Sequence, residues 1–243
     1  MRVDIHATGS SGNCVTIDDF IMIDAGVEVK KDVSVLLITH HHTDHTKALA
    51  KYAGVSVWAT QETIDKLQPK HPFIAFNVLR LDRPHEFFNP LTQAYYKIRC
   101  VPLKHDAPCV GFDITRYDAH GTKRILYATD FNSIERDINV DSYDALYIEC
   151  NNTLSAADMT DVYFGDTIPK DEFHRRKSFG NHCNADYLIS LFKRAGYSCE
   201  KKYDKPVTLL HKSSYYYATN PDKIVELCKI AHVVNPVDAN AKA

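Results

Sequence analysis

The chain has 243 residues and a formal net charge of −2 at pH 7, with 29 Lys and Arg against 31 Asp and Glu. An ordinary apolar and aromatic share excludes a disordered or fibrous chain, and the near-neutral balance argues against a protein that grips many nucleic-acid phosphates through a basic face. No apolar run is long enough to span a bilayer, the start MRVDIHATGS lacks the apolar stretch of a signal peptide, and the seven cysteines (Cys14, Cys100, Cys109, Cys150, Cys183, Cys199, Cys228) form no C-x-x-C pair. The expectation is a single cytoplasmic domain over residues 1–243, with reduced and mostly buried thiols and no membrane partner.

Short strands divided by turns come first. Runs rich in Val, Ile, Tyr and Thr, bounded by Gly, Asp, Asn and Pro, predict strands at 3–7, 15–18, 20–24, 33–39, 55–60, 95–103, 110–115, 125–129 and 145–149. Thr60 is placed to cap a helix through Leu67, with Glu62 in its first turn. Residues 157–181 show no period and read as an insertion or loop. In NADYLISLFKRAG, Leu188, Ile189, Leu191, Phe192 and Ala195 share one helical face, with Asn184 at the cap and Gly196 past the end. In NPDKIVELCKIA, Asn220 caps, Pro221 suits the first helical position, and Ile224, Val225, Leu227 and Cys228 form the expected stripe. The tail, 236–243, is expected to fray.

Several of the apolar runs stop at an imidazole or a carboxylate. Val35 to Ile38 lead through Thr39 into His40, and Ile98 to Leu103 lead through Lys104 into His105. Ile125 to Thr129 end at Asp130, Ala145 to Ile148 at Glu149, and Val207 to Leu210 at His211. Strand ends are rigid and reach a common rim, which is where layered α/β folds place their ligands. Within LLITHHHTDHTKA, His40 and His42 are two apart and can point the same way, while Asp44 and His45 open a helix and can turn toward a second point. His105 would complete the first centre and His211 the second, with the two oxygens of Asp130 between them. Such a nitrogen and oxygen set suits two divalent ions, zinc first, with manganese and iron also fitting. Taken singly, a His105 or a His211 is more often an ordinary satisfied histidine, and His6, His41, His71, His85, His120, His174 and His232 keep that bland reading. The clustered set does not, because its spacing is specific.

His-x-His-x-Asp-His after an apolar strand, followed by a His, an Asp and a last His at strand ends, resembles the metallo-β-lactamase fold. ATGSSGNCVTIDDFIMIDAGV resembles that family's opening strands, where an Asp closes the second turn. The resemblance covers nearly the whole chain and implies an α/β fold, a four-layer αββα sandwich, with metals held by His40, His42, Asp44, His45, His105, Asp130 and His211.

Three stretches narrow the branch. The motif ends in Asp44-His45, LYIECNNT resembles the ribonuclease Z stretch where a Glu follows a strand, and SFGNHCNADYLISLF resembles its His-bearing entry to a helix. By that resemblance Asp44 aims the attacking water, Glu149 orients His182, and His182 protonates the departing oxygen. The long basic arm with which ribonuclease Z holds tRNA has no counterpart here. VPLKHDAPCVGFDI is similar to the third motif of exonucleases of the YycJ type, and the chain is also similar to the phage anti-Pycsar phosphodiesterases, compact homodimers that open cyclic mononucleotides. The expectation is therefore a dinuclear-metal phosphodiesterase acting on a small cyclic nucleotide, in a homodimer. A nuclease acting on short nucleic acid stands as the alternative, and a glyoxalase-like thioesterase as a weaker one, kept open by Arg175, Arg176 and Lys177.

Overall fold

A computed structural model describes residues 1–153, 180–213, 217 and 221–235. His174, the basic run at 175–177, Asn220, the tail at 236–243 and all but the last residues of the expected loop at 157–181 lie outside the described residues.

In the first sheet, β1 (Val3–Ala7), β2 (Cys14–Ile17), β3 (Ile21–Ile23), β4 (Val35–Leu37), β5 (Ser56–Ala59) and β6 (Phe76–Val78) lie in chain order. β1 to β3 pair antiparallel, and β3 to β6 pair parallel. The tight turn between β2 and β3 has Asp18 and Asp19 both at φ 51°, closed by Phe20 N donating to Ile17 O at 3.0 Å. Two left-handed residues in succession match the twist of a hairpin, and Asp tolerates that conformation better than most side chains. β2, β3 and β4 are buried along their whole length, as near-continuous apolar runs require.

The second sheet contains β7 (His85–Asn89), β8 (Ala94–Lys104), β9 (Cys109–Asp118), β10 (Gly121–Ala128), β11 (Ser133–Ile134), β12 (Ala145–Glu149), β13 (Tyr203–Leu210) and β14 (Ala231–Val233). Its order is β11-β8-β9-β10-β12-β13-β14, with β7 on β8. β10, β12, β13 and β14 run parallel, so their C-terminal ends share one edge. Among the described residues the α-helices are α1 (Thr43–Thr46), α2 (Gln61–Leu67), α3 (Ala185–Arg194) and α4 (Asp222–Ile230). Two sheets with helices give the mixed α/β class expected from the sequence. Among the described residues no helix is long and apolar enough to cross a membrane. All seven cysteines are free, five of them buried.

The described chain forms two compact units, one of Met1–Pro102 with Ala107–Arg124, the other of Leu103–Asp106 with the described residues from Ile125 onward. In the first unit, Phe20 stacks on Tyr96 at 5.4 Å and Trp58 meets Phe87 edge-on at 5.2 Å. The Tyr96 hydroxyl donates to Asp18 at 2.8 Å, which settles the polar tip of an otherwise buried ring. In the second unit, α3 buries Ala185, Leu188, Ile189, Leu191 and Phe192, each large side chain contributing about 1.5–3 kcal/mol. Asn184 caps it by accepting from Tyr187 N at 2.8 Å, and Gly196 at φ 85° ends it. Lys193 to Glu226 at 3.0 Å and Lys223 to Asp186 at 2.9 Å tie α3 to α4.

Several sequence expectations shift. The stripe of α4 is Ile224, Leu227 and Ile230, whereas Val225 is 52% exposed and Cys228 only half-buried. Spacing of three along a short helix selects one line of contact, and the neighbours of that line turn outward. Thr60 sits at the cap position of α2, but its hydroxyl donates to Thr63 instead of capping the backbone. β6, β7, β11 and β14 escaped the sequence reading. β11 has two residues, β6 three that are not fully buried, and β14 follows α4 with no turn residue between.

Candidate metal centre

In the first unit the histidine motif is packed against two other loops. Past the end of β4 the chain runs through Thr39 to His40, and α1 then presents Asp44 and His45. His40 and His45 are fully buried. The His40 ring lies 4.6 Å from that of His42 and 4.1 Å from that of His45. Asp24, directly after β3, is fully buried at φ 59° and accepts from Thr39 N at 2.8 Å and from His45 Nδ1 at 2.7 Å. The Thr39 hydroxyl also donates to Asp24 at 2.9 Å, so its lone pair can accept from His40 Nδ1 at 3.0 Å. Both imidazoles thus spend Nδ1 inside the protein and keep Nε2 as the accepting nitrogen, the tautomer a metal requires, although at His45 that lone pair faces an amide donor. Asn13 Nδ2 stands 2.9 Å from His45 Nε2 and 3.3 Å from Asp44 Oδ2.

Backbone bonds lock these loops together. Asn13 N donates to Asp44 O at 2.7 Å, Ala25 N to His45 O at 2.8 Å, and Gly26 N to Asn13 O at 2.9 Å. A Cβ on Gly26 would lie 1.8 Å from Asp44 O and 2.4 Å from Asn13 N, so only glycine allows this approach. Gly26→Ala is expected to push α1 away from β3, at a cost of about 1–3 kcal/mol or more. Urea unfolding checks the stability loss, and wild-type stability in the variant would show that the loop has room to move.

In the second unit, Asp130, Glu149 and His211 stand at the C-terminal ends of the parallel strands β10, β12 and β13. Asp130 at φ 55° and His211 at φ 48° are left-handed, as Asp24 is. Non-glycine residues rarely adopt this conformation, and such backbone strain clusters at functional sites. Glu149 is fully buried and uses both oxygens. Oε2 accepts from Phe131 N at 2.8 Å and Cys183 N at 3.3 Å, while Oε1 faces His182 Nδ1 at 2.6 Å and His211 Nδ1 at 3.1 Å. His211 Nδ1 is also 3.1 Å from Asp130 Oδ1. The ligand atoms of Asp130, Glu149, His182 and His211 fall within 4.8 Å of one another. Glu149 is nonetheless poor as a metal ligand, because four donors already occupy it. It orients two histidines, where the sequence assigned it one.

Burial drives the carboxyl of Glu149 up, but the adjoining His182 and His211 outweigh this and leave it below the ordinary value. Burial drives His182 and His211 down, and their carboxylate neighbours win in turn, raising both. His105 goes the other way. Burial holds it below the usual imidazole value, as suits a neutral ligand.

His105 supplies a direct test of fit. Its Nδ1 faces Asn181 O at 3.1 Å, and a carbonyl only accepts, so Nδ1 carries the proton. Nε2 then presents a lone pair 3.1 Å from Asp106 Oδ1. An accepting Nε2 on a neutral imidazole is the state a metal ligand needs. The residues therefore fit a metal, through His40, His42, Asp44 and His45 in one unit and His105, Asp130 and His211 in the other. The sequence reading gave no role to Asn13 or Asn181, and met Asp24 and Asp106 only inside motifs, without a part in the site. Asp24 ends a strand just as Asp130 does, and that signal was available. Asn13 and Asn181 carried none.

This architecture is that of the metallo-β-lactamase fold. The model of the beta-lactamase superfamily domain matches residues 24–168, more than half of the chain, and the chain belongs to that family. It is similar to the metallo-β-lactamase fold protein YhfI from Bacillus subtilis, at 15% identity over 95% of this chain and 94% of that one, with a TM-score of 0.60. It is similar as well to Zn(2+)-bound PqqB from Methylobacterium extorquens, at 13% identity over 96% and 97%, with a TM-score of 0.59. Unliganded yeast PDE1 shares 14% identity over 83% of this chain and 65% of that one, with a TM-score of 0.53. At these identities the likeness is one of fold. No curated protein matches the chain.

Proposed function

We propose that the protein is a dinuclear-metal phosphodiesterase of the ribonuclease Z-like branch that opens small cyclic nucleotides, cyclic mononucleotides first, to nucleoside monophosphates. His40, His42, Asp44, His45, His105, Asp130 and His211 are the residues that would hold the ions, with zinc the best match to the donors. When bound, the ions supply positive charge at the phosphoryl oxygens and a water ionised near neutral pH. Asp44, whose side chain is 25% exposed and whose Oδ2 lies 3.3 Å from Asn13 Nδ2, would accept from the attacking water and aim it. The observation that carries the reading is the Glu149 to His182 bond of 2.6 Å. It pins Nδ1 to a buried carboxylate and leaves Nε2 to hand a proton to the departing alkoxide, a step that lactam or thioester cleavage does not need in this form.

The substrate follows from charge and size. A chain of net charge −2 has little with which to track a polyanion, and a small nucleotide needs only the metals and a few polar groups. Cyclic mononucleotides are expected to turn over faster than single-stranded DNA at equal phosphate concentration, in a panel that includes cyclic dinucleotides, duplex DNA and pre-tRNA. Affinity should fall gently with salt, since few counterions are released. DNA cleavage without opening of any cyclic nucleotide would reject the substrate and promote the nuclease reading. The same proposal carries a homodimer in the cytoplasm, where seven free thiols stay reduced.

A further inference from the structure

His182 is held from two sides. On its C-terminal side the backbone does the holding. Asn151 N donates to Cys183 O at 2.8 Å, Ala185 N donates to Asn152 O at 3.0 Å, and Asn152 pairs with Asn184 in a parallel bridge. No side-chain substitution removes those bonds. On its N-terminal side the contacts run through side chains. Asn181 Nδ2 donates to Asp106 Oδ2 at 2.9 Å, and the Asn181 carbonyl accepts from His105 Nδ1 at 3.1 Å. Asp106 directly follows His105, so one carboxylate and one amide join the end of β8 to the residue before His182. The His105 and His182 rings are 5.6 Å apart.

We propose that Asp106 and Asn181 form a positioning pair that seats His182 for proton transfer and fixes the ring of His105, through the Asn181 Nδ2 to Asp106 Oδ2 bond. The Asp106 side chain is 30% exposed, so its hydrogen bond adds little to global stability. Its effect on geometry is larger. A misplacement of about 1 Å at a reacting group costs on the order of 10²-fold in rate. The pair thus acts on catalysis through His182, without touching the substrate, and its kinetic consequence rests on the phosphodiesterase reading.

The test uses full-length, zinc-loaded protein labelled with 15N-histidine. The His182 Nδ1 proton, shielded by Glu149, is assigned by its absence in His182→Ala. In Asp106→Ala and Asn181→Ala this proton is expected to exchange with water at least about tenfold faster, because the residue before His182 loses one of its two ties to the end of β8. Asp106→Asn keeps an oxygen that can accept from Asn181 and should restore slow exchange. In the kinetic arm, Asp106→Ala should lower kcat about 10–100-fold on a cyclic nucleotide while KM and metal content hold. Asp106→Asn should recover most of that loss. An unchanged His182 proton in Asp106→Ala overturns the pair. Loss of metal in Asp106→Ala also overturns it, and makes Asp106 a ligand. The exchange measurement decides the pair even where no phosphodiester is opened, so the two readings fail separately.

Discussion

Asp130→Ala is expected to lose metal, activity and thermal stability together. Asp130 is 3% exposed, left-handed in backbone, and lies 3.1 Å from His211 Nδ1. Removing it deletes the carboxylate proposed to serve both ions and takes one of the two carboxylates from beside the His211 ring. Because ligands are assembled only in the folded chain, metal binding adds to folding stability, by about 4 kcal/mol when free metal is 1,000-fold above its Kd. For a chain of this size about 1 kcal/mol corresponds to about 2–4 °C, so Tm should fall by about 8–16 °C. His42→Ala should behave alike, and chelator should bring the wild type down by the same amount. Elemental analysis is expected to find close to two ions per wild-type chain. Activity that persists in chelator, in a protein carrying no metal, would end the dinuclear reading.

His182→Ala is expected to do the opposite: keep the metals and lose the rate. Its Nδ1 is committed to Glu149, and once the ring is gone Glu149 still has Phe131 N, Cys183 N and His211 to satisfy it. Metal content and Tm should therefore stay near wild type, while kcat on a cyclic nucleotide falls about 10²–10⁴-fold, the usual worth of a general acid. The defect should shrink on bis-p-nitrophenyl phosphate, because p-nitrophenolate departs without a proton. Equal loss on both substrates would make His182 a phosphate-positioning group. Metal loss would make it a ligand and displace His211 from that role.

Much of the site was legible in the sequence because strands end abruptly. An apolar run buried on both faces cannot accept an imidazole or carboxylate within it, so the first polar residue after it marks the rim. That reasoning reached His40, His105, Asp130, Glu149 and His211, and the His-x-His-x-Asp-His spacing added His42, Asp44 and His45. α3 was legible for a similar reason, since its cap, its apolar face and its terminal glycine agree. α4 was less so, because nothing in a short helix says which of two adjacent apolar residues turns outward.

What the sequence by itself determined is the inventory of candidate ligands and the strands that carry them, through local period and spacing. Only the tertiary structure decided how each ring is turned. Asp24 meets His45 across 21 residues, Asn181 meets Asp106 across 75, and Glu149 grips His182 across 33 and His211 at once. Gly26 looks like any turn glycine until Asp44 O is found where its Cβ would stand. Hydrogen bonds of this reach leave no periodicity in the chain. They depend on where the folded backbone brings distant loops, and that is set by the packing of whole sheets rather than by any local run of residues.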